Sequence, residues 1–206
     1  MDVSTFPSKG NLINARSSLK LSKNGYELLD KKRNILLSEM SSLVKRAKKI
    51  RKEINKVFSE AYKSLQTTNI ASGISTVEQV GYAISEENSI NVKYKSIMGV
   101  EIPVVKDLHS GLEANYSFFR TNYSLDFTYK KFNNTKKLCV ELAEVENSIY
   151  RLADHIKKTQ KRANALKTIL IPRYENLVNF MEKYLEEKER EDFSRLHSIK
   201  KNLNTT

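Results

Sequence analysis

With one cysteine, no tryptophan, three prolines and six glycines in 206 residues, this chain has little from which to build a compact, cross-linked or turn-rich domain. Cys139, standing alone, cannot form an internal disulfide and gives no reason to place the chain in an oxidising compartment; beside Leu138 it reads as a small packing residue. No apolar run approaches the roughly 20 residues that a membrane-spanning helix needs, and the first residues lack the continuous apolar core of a signal peptide. A soluble, intracellular chain is expected. His109, His155 and His197 are scattered, without Cys or carboxylate neighbours at ligand spacing, so no metal site is expected. Neither G-x-x-x-x-G-K followed by Ser or Thr, nor G-x-G-x-x-G, nor G-x-S-x-G occurs, which removes the commonest phosphate cradles and the nucleophile elbow. No catalytic residue and no cofactor are expected. Negative charge is also short: 24 acidic against 36 basic residues leave a formal +12 and a pI near 9.6. That balance suits acidic partners, whether nucleic acid, an anionic membrane surface or acidic protein surfaces, and its sign does not choose among them.

What the chain has is periodicity. Thr135, Leu138, Leu142, Val145, Ile149, Leu152, Ile156, Thr159, Ala163, Leu166 and Leu170 step by alternating threes and fours, and nine of the eleven are apolar. That is a heptad seam on a helix otherwise covered by Lys, Glu, Asn and Asp. A second seam runs through Leu36, Met40, Leu43, Ala47, Ile50, Ile54, Val57 and Ala61, and extends back through Leu29 to Tyr26 with only Arg33 out of character. Two such seams separated by a glycine-containing middle predict a mainly α fold: a long antiparallel two-helix coiled coil of the N- and C-terminal segments. Self-pairing of each helix with a second copy is the alternative. An intramolecular partner has the higher effective concentration.

Taken in order, residues 1–65 form the N-terminal helix, beginning between Ser8 and Leu12 with Ser8 as cap. Gly25 within it costs about 1 kcal/mol relative to Ala, either tolerated or marking a close backbone approach. Lys45, Arg46, Lys48, Lys49, Arg51 and Lys52 form a basic stripe off the seam, a solvated face or a docking surface for acidic protein groups. Residues 66–115 form an inserted middle region, where four of the six glycines gather. It contains a short helix near Thr76–Ser85 and a β-hairpin near 90–105: Ile90, Val92 and Tyr94 alternate with polar residues, as do Val100, Ile102 and Val104, across a turn near Ile97–Gly99. Pro103 demands an edge position or a solvent-facing N–H. Residues 116–206 form the C-terminal helix, kinked near Pro172. Its crowded aromatic start, Tyr116, Phe118, Phe119, Tyr123, Phe127, Tyr129 and Phe132, packs under the hairpin or offers a patch to another subunit. If the helices turn near Leu65 and Phe118, Leu12 meets Ile171. Roughly 30 residues after Pro172 then overhang by about 40 Å and require a sheath of other chains.

Pro7, Ser8, Lys9, Asn11, Leu12, Leu19, Leu21, Gly25, Tyr26, Leu28, Leu29, Lys31, Lys32 and Arg33 form an opening pattern. Met98, Gly99, Val100 and Pro103 form a central one. Arg162, Asn164, Ala165, Leu166, Ile171 and Pro172, then Leu185, Glu186, Glu187, Glu189, Arg190, Glu191, Arg195, Leu196, Ile199 and Lys200, form a closing one. In that order they resemble the D subunit of V-type and archaeal A-type rotary ATPases, the central rotor shaft. Ser8, Ala163 and His197 depart mildly from the family pattern. The resemblance implies a non-catalytic central-stalk subunit that transmits torque between a hexamer of catalytic A and regulatory B subunits and a membrane ring that moves hydrogen or other ions. It further implies contacts with the small F subunit and with the funnel-shaped subunit on the ring. The complex would be peripheral, on the cytoplasmic face, with no membrane insertion and no nucleic acid. Candidate partner-contacting residues are Lys45, Lys49 and Lys52 of the stripe, Phe118 and Phe119 of the aromatic run, and Tyr26, Arg33, Arg162, Asn164, Arg190 and Glu191 of the matched patterns. A basic coiled-coil scaffold or nucleic-acid-binding protein is the alternative from another class, although acidic residues interleave and no recognition motif appears.

Overall fold

The computed structural model describes residues 6–84, 90–106, 116 and 121–203. Its elements are helix α1 (Lys9–Ser72), helix α2 (Ile74–Ala83), strands β1 (Asn91–Ile97) and β2 (Val100–Lys106), helix α3 (Tyr123–Ala165), a π-helical segment (Leu166–Leu170) and helix α4 (Ile171–Leu203). Contacts divide the chain into two units, Met1–Asn34 with Lys157–Thr206, and Ile35–Ile156. In each, the heptad seams of α1 and of the C-terminal helices bury against each other within one chain.

The first unit pairs the start of α1 with α4. Ser8 caps α1: its Oγ accepts the Asn11 N–H at 3.2 Å. Ala15, Val178 and Met181 form the core, with Leu12, Leu19 and Leu177 around it. Leu12 therefore packs on the Ala15–Val178–Met181 core, further along α4 than the expected Ile171. Lys9–Glu189, Arg16–Glu182 and Lys23–Glu175 flank the seam at 2.8, 2.7 and 2.8 Å, one pair per heptad, every cation on α1 and every anion on α4. Two copies of α1 face to face would set cation against cation. Ahead of Pro172, which cannot donate a backbone N–H, the helix widens into the π segment, and the Ile171 N–H reaches Leu166 O. Gly25 faces this segment, yet a Cβ there would touch only Leu166 Cδ1 at 3.8 Å, so no backbone approach requires glycine.

The second unit pairs the rest of α1 with α3. Ile50, Ile54 and Val145 are buried with Leu43, Ala47, Phe58, Leu138, Leu142 and Ile149 against them. Leu36 and Leu152, both fully buried, form a further core with Val100 and Ile102 of β2, supported by Met40, Leu43, Ile97 and Ile156. The hairpin turns through Met98 (φ 51°) and Gly99 (φ 77°), the two positive φ angles of a type I′ turn. β1 and β2 are antiparallel, with Ile97 opposite Val100 and Tyr94 opposite Pro103. The Val105 N–H leaves the ladder for Glu144 Oε2 at 2.9 Å. Donors two residues apart point the same way, so Pro103 stands where the ladder needs none.

Helix α1 outlasts its expected end at Leu65 by about two turns because its seam continues in hydroxyls. Thr68 and Thr128 are buried and lie 2.8 Å apart, with Ser64 Oγ also 2.8 Å from Thr128 Oγ1. Helix α1 then ends on Gly73, whose φ of 82° and N–H to Asn69 O at 3.0 Å make it the C-terminal stop. With α1 ending at Ser72 and α3 starting at Tyr123, the pairing register moves about twelve residues along α4 from the sequence expectation.

Candidate functional site

The surfaces of the helical pairs are the candidate site. Among the described residues no three His, Cys, Asp or Glu side chains stand where they could hold a metal ion. No described helix is long and apolar enough to cross a membrane. One open groove is lined by Glu186, Glu189, Arg190, Phe193 and Ser194 along one face of α4.

In the first unit, the structure joins two of the sequence candidates through a residue that sequence reasoning had not singled out. The Arg33 guanidinium, only 25% exposed, donates to Gln160 Oε1 at 2.9 Å and pairs with Asp30 Oδ1 at 2.6 Å. Gln160 Nε2 in turn donates to Asn164 Oδ1 at 3.0 Å. The two terminal nitrogens of this seam charge are thereby met by a polar patch, while its buried Nε–H has no partner among the described residues. Tyr26 lies below Lys167, whose Nζ is 5.8 Å from the ring centroid. Arg162 is exposed and outside this patch.

Arg190 and Glu191 lie on the exposed end of α4, each with a partner one turn away, Glu186 and Arg195, at 3.9 Å. Lys9, at the start of α1, is the last residue of that helix to ion-pair with α4. The Glu189 carboxyl is held below the usual carboxylate range by its hydrogen bond from Lys9 and then by the charge, while Lys9 is raised by the same contact. Beyond Glu189, α4 continues through Arg190–Leu203, 14 residues or about 20 Å. The overhang is thus half the length expected. Its apolar residues Phe193, Leu196 and Ile199 are 72%, 66% and 55% exposed.

In the second unit Lys45, Lys49 and Lys52 are exposed, whereas Arg46 and Arg51 of the same stripe cross to α3, to Glu141 at 2.5 Å and to Glu146 at 2.6 Å. Phe118 and Phe119 lie outside the described residues. The described aromatics of that run meet other rings. Phe132 meets Tyr62 edge-on, Tyr116 meets Tyr129, and Tyr123 stacks on Phe127, which also lies 4.8 Å from Lys131 Nζ. The hairpin is occupied elsewhere, on Leu36 and Leu152. Burial, and then the Asp126 carboxylate that accepts its O–H at 2.6 Å, raise the Tyr116 phenol. Tyr123, Ile70, Ile74 and Tyr82 are 80%, 88%, 71% and 82% exposed, an apolar surface at this end of α1 and along α2. It borders an open groove of about 350 Å³ lined by Lys63, Ser64, Tyr123, Ser124, Phe127 and Lys131.

Comparison with known proteins gives these surfaces a family. A family described as the D subunit of ATP synthase matches residues 11–201. The V-type ATP synthase D subunit of Thermotoga neapolitana is 37% identical over 98% of this chain and 99% of its own length. The A-type ATP synthase D subunit of Methanosphaera stadtmanae is 36% identical over 96% and 94%. That of Pyrococcus horikoshii is 34% identical over 94% and 92%.

Proposed function

The chain belongs to the family of ATP synthase D subunits, and from that membership we propose that it is the central shaft of a rotary V/A-type ATPase. In this role it carries torque between a hexamer of A and B subunits and the membrane ring, and performs no nucleotide chemistry itself. Its paired ends enter the hexamer. The aromatic end and the hairpin side face the F subunit and the funnel-shaped subunit on the ring, so the protein is peripheral, at the cytoplasmic face. A shaft of uneven outline biases each nucleotide site toward a different state as it turns, because contacts made in one state and not another shift the population.

The observation that carries this proposal is the end of α4. Phe193, Leu196 and Ile199 extend a helix past its partner with their apolar side chains in solvent, an arrangement that neighbouring chains would cover. The test is a chain stopped after Glu189, assembled into the complex. Because Val178 and Met181 lie in the core against Ala15, this stop keeps the packed part of α4, whereas a stop at Pro172 removes it. Helicity and melting should hold while ATP hydrolysis no longer drives ion transport. Unchanged coupling would overturn the proposal.

A further inference from the structure

One face of α1 carries a charge pattern that no ion pair among the described residues balances. Lys45, Lys49, Lys52 and Lys56 step by four, three and four residues, the same alternation as the seam, and centre on the opposite side of the helix from Leu36, Ile50 and Ile54. Lys48 lies beside them. All five are exposed, and none has a carboxylate partner among the described residues. Glu53, the one acidic residue in the stretch, pairs with none of them. The two arginines of the stretch are tied to Glu141 and Glu146. On α4 the exposed charges alternate in sign one turn apart, as in Glu186–Arg190 and Glu191–Arg195. Here Lys45 with Lys49, Lys48 with Lys52, and Lys52 with Lys56 set like charges at that same spacing, each pair destabilising the helix. A sequence concerned only with solubility would interleave more glutamates.

We infer that the Lys45–Lys49–Lys52–Lys56 line is a docking surface for an acidic helix lying alongside α1. Cations repeating every three and four residues over about 16 Å are matched by carboxylates on a second helix with that same repeat, as in the flanking charges of a coiled coil. The line has no aromatic ring on which a base could stack and no unengaged arginine to fork onto a base edge, which leaves a nucleic acid backbone contacts alone. It has no apolar border to enter a lipid surface. The inference stands apart from the shaft proposal, since it needs only a partner of that charge and shape.

The probe is a stapled helical peptide of about 20 residues with Glu at the four-three-four spacing, compared with an isomer of equal composition whose Glu residues are spread around the helix. Binding to the full chain is followed by fluorescence anisotropy. The spaced peptide should bind about tenfold or more tightly than the isomer and weaken as salt rises from about 0.05 to 0.3 M. Binding should vanish in the Lys45→Glu, Lys49→Glu, Lys52→Glu, Lys56→Glu variant, and that variant should bind the matching Lys-bearing peptide instead. If the reversed chain melts early, the Lys→Gln variant at the same four positions must lose the preference between isomers. Equal affinity for the two isomers, or tighter binding of duplex DNA or of phosphatidylserine vesicles, would overturn the inference.

Discussion

Replacing Thr68 by Val should cost little although its hydroxyl makes three contacts. Thr68 Oγ1 lies 2.9 Å from Ser64 O, 3.0 Å from Ser124 O and 2.8 Å from Thr128 Oγ1; Thr128 Oγ1 lies 2.8 Å from Ser124 O and 2.8 Å from Ser64 Oγ. Five contacts thus share the three protons of Ser64, Thr68 and Thr128, so two contacts lack a proton at any moment. Thr68→Val deletes three contacts and one proton and leaves two of each, fully matched. The expected loss is within about 1 kcal/mol, the net worth of one hydrogen bond. Thr128→Val instead strips Ser64 Oγ of its partner in a half-buried position, which adds a desolvation penalty and brings the loss to about 1–2 kcal/mol. Urea denaturation at constant slope measures both through the midpoint. A Thr68→Val loss above about 3 kcal/mol, or one exceeding that of Thr128→Val, would refute the proton count.

Gly25→Ala should stabilise by about 1 kcal/mol, since the added methyl meets only Leu166 Cδ1 at 3.8 Å and helix propensity favours Ala; a lowered urea midpoint would show a closer approach. Leu152→Ala empties a fully buried site between α1 and the hairpin and should cost about 2–5 kcal/mol in the same assay. The Glu189 carboxyl, with its folded value below the ordinary 4.5, contributes stability that is present above that value and fades as pH falls through the lowered one; Lys9, raised above 10.5, loses its share as pH climbs through the raised one. An NMR titration should find Glu189 back at its ordinary value in Lys9→Met, and an unmoved titration would deny the contact.

Much of the fold could be read from residue spacing. Apolar residues at alternating threes and fours marked both seams, and Met98–Gly99 between two alternating runs marked the hairpin and its turn. The register could not be read the same way, because the seam's last layers are Thr68 and Thr128, which look like surface residues to any count of apolar side chains. They are legible only if the three-four rhythm is followed through polar positions: Ala61, Ser64, Thr68 on α1, and Thr135, Phe132, Thr128, Leu125 on α3. The hairpin's packing was equally hidden. Both strands carry apolar residues, but cross-strand pairing puts Val92 opposite Val105 and Tyr94 opposite Pro103, on the face away from Val100 and Ile102. Which face is covered depends on Leu36 and Leu152, distant in sequence. Pro172 announced a disturbance without its form, since a missing N–H is answered equally by a kink or by a widened turn. Of the candidate contact residues, Arg33 was visible as a flaw in the seam, while Gln160, which completes its patch, has no sequence signal of its own.

The evenly spaced ion pairs between α1 and α4 have a consequence for alignment. If Arg16 slid from Glu182 to Glu189, a shift of about 10 Å, Lys23 would fall beside Glu182 and two of the three rungs would survive. A ruler whose marks are identical cannot distinguish one mark from the next. A mark that breaks the repeat is the guanidinium of Arg33 against Gln160: the same slide would carry it seven residues along, to Lys167, and set cation against cation. The core of Ala15, Val178 and Met181 holds the two helices of that unit together, and an off-pattern arginine tells them where to stop.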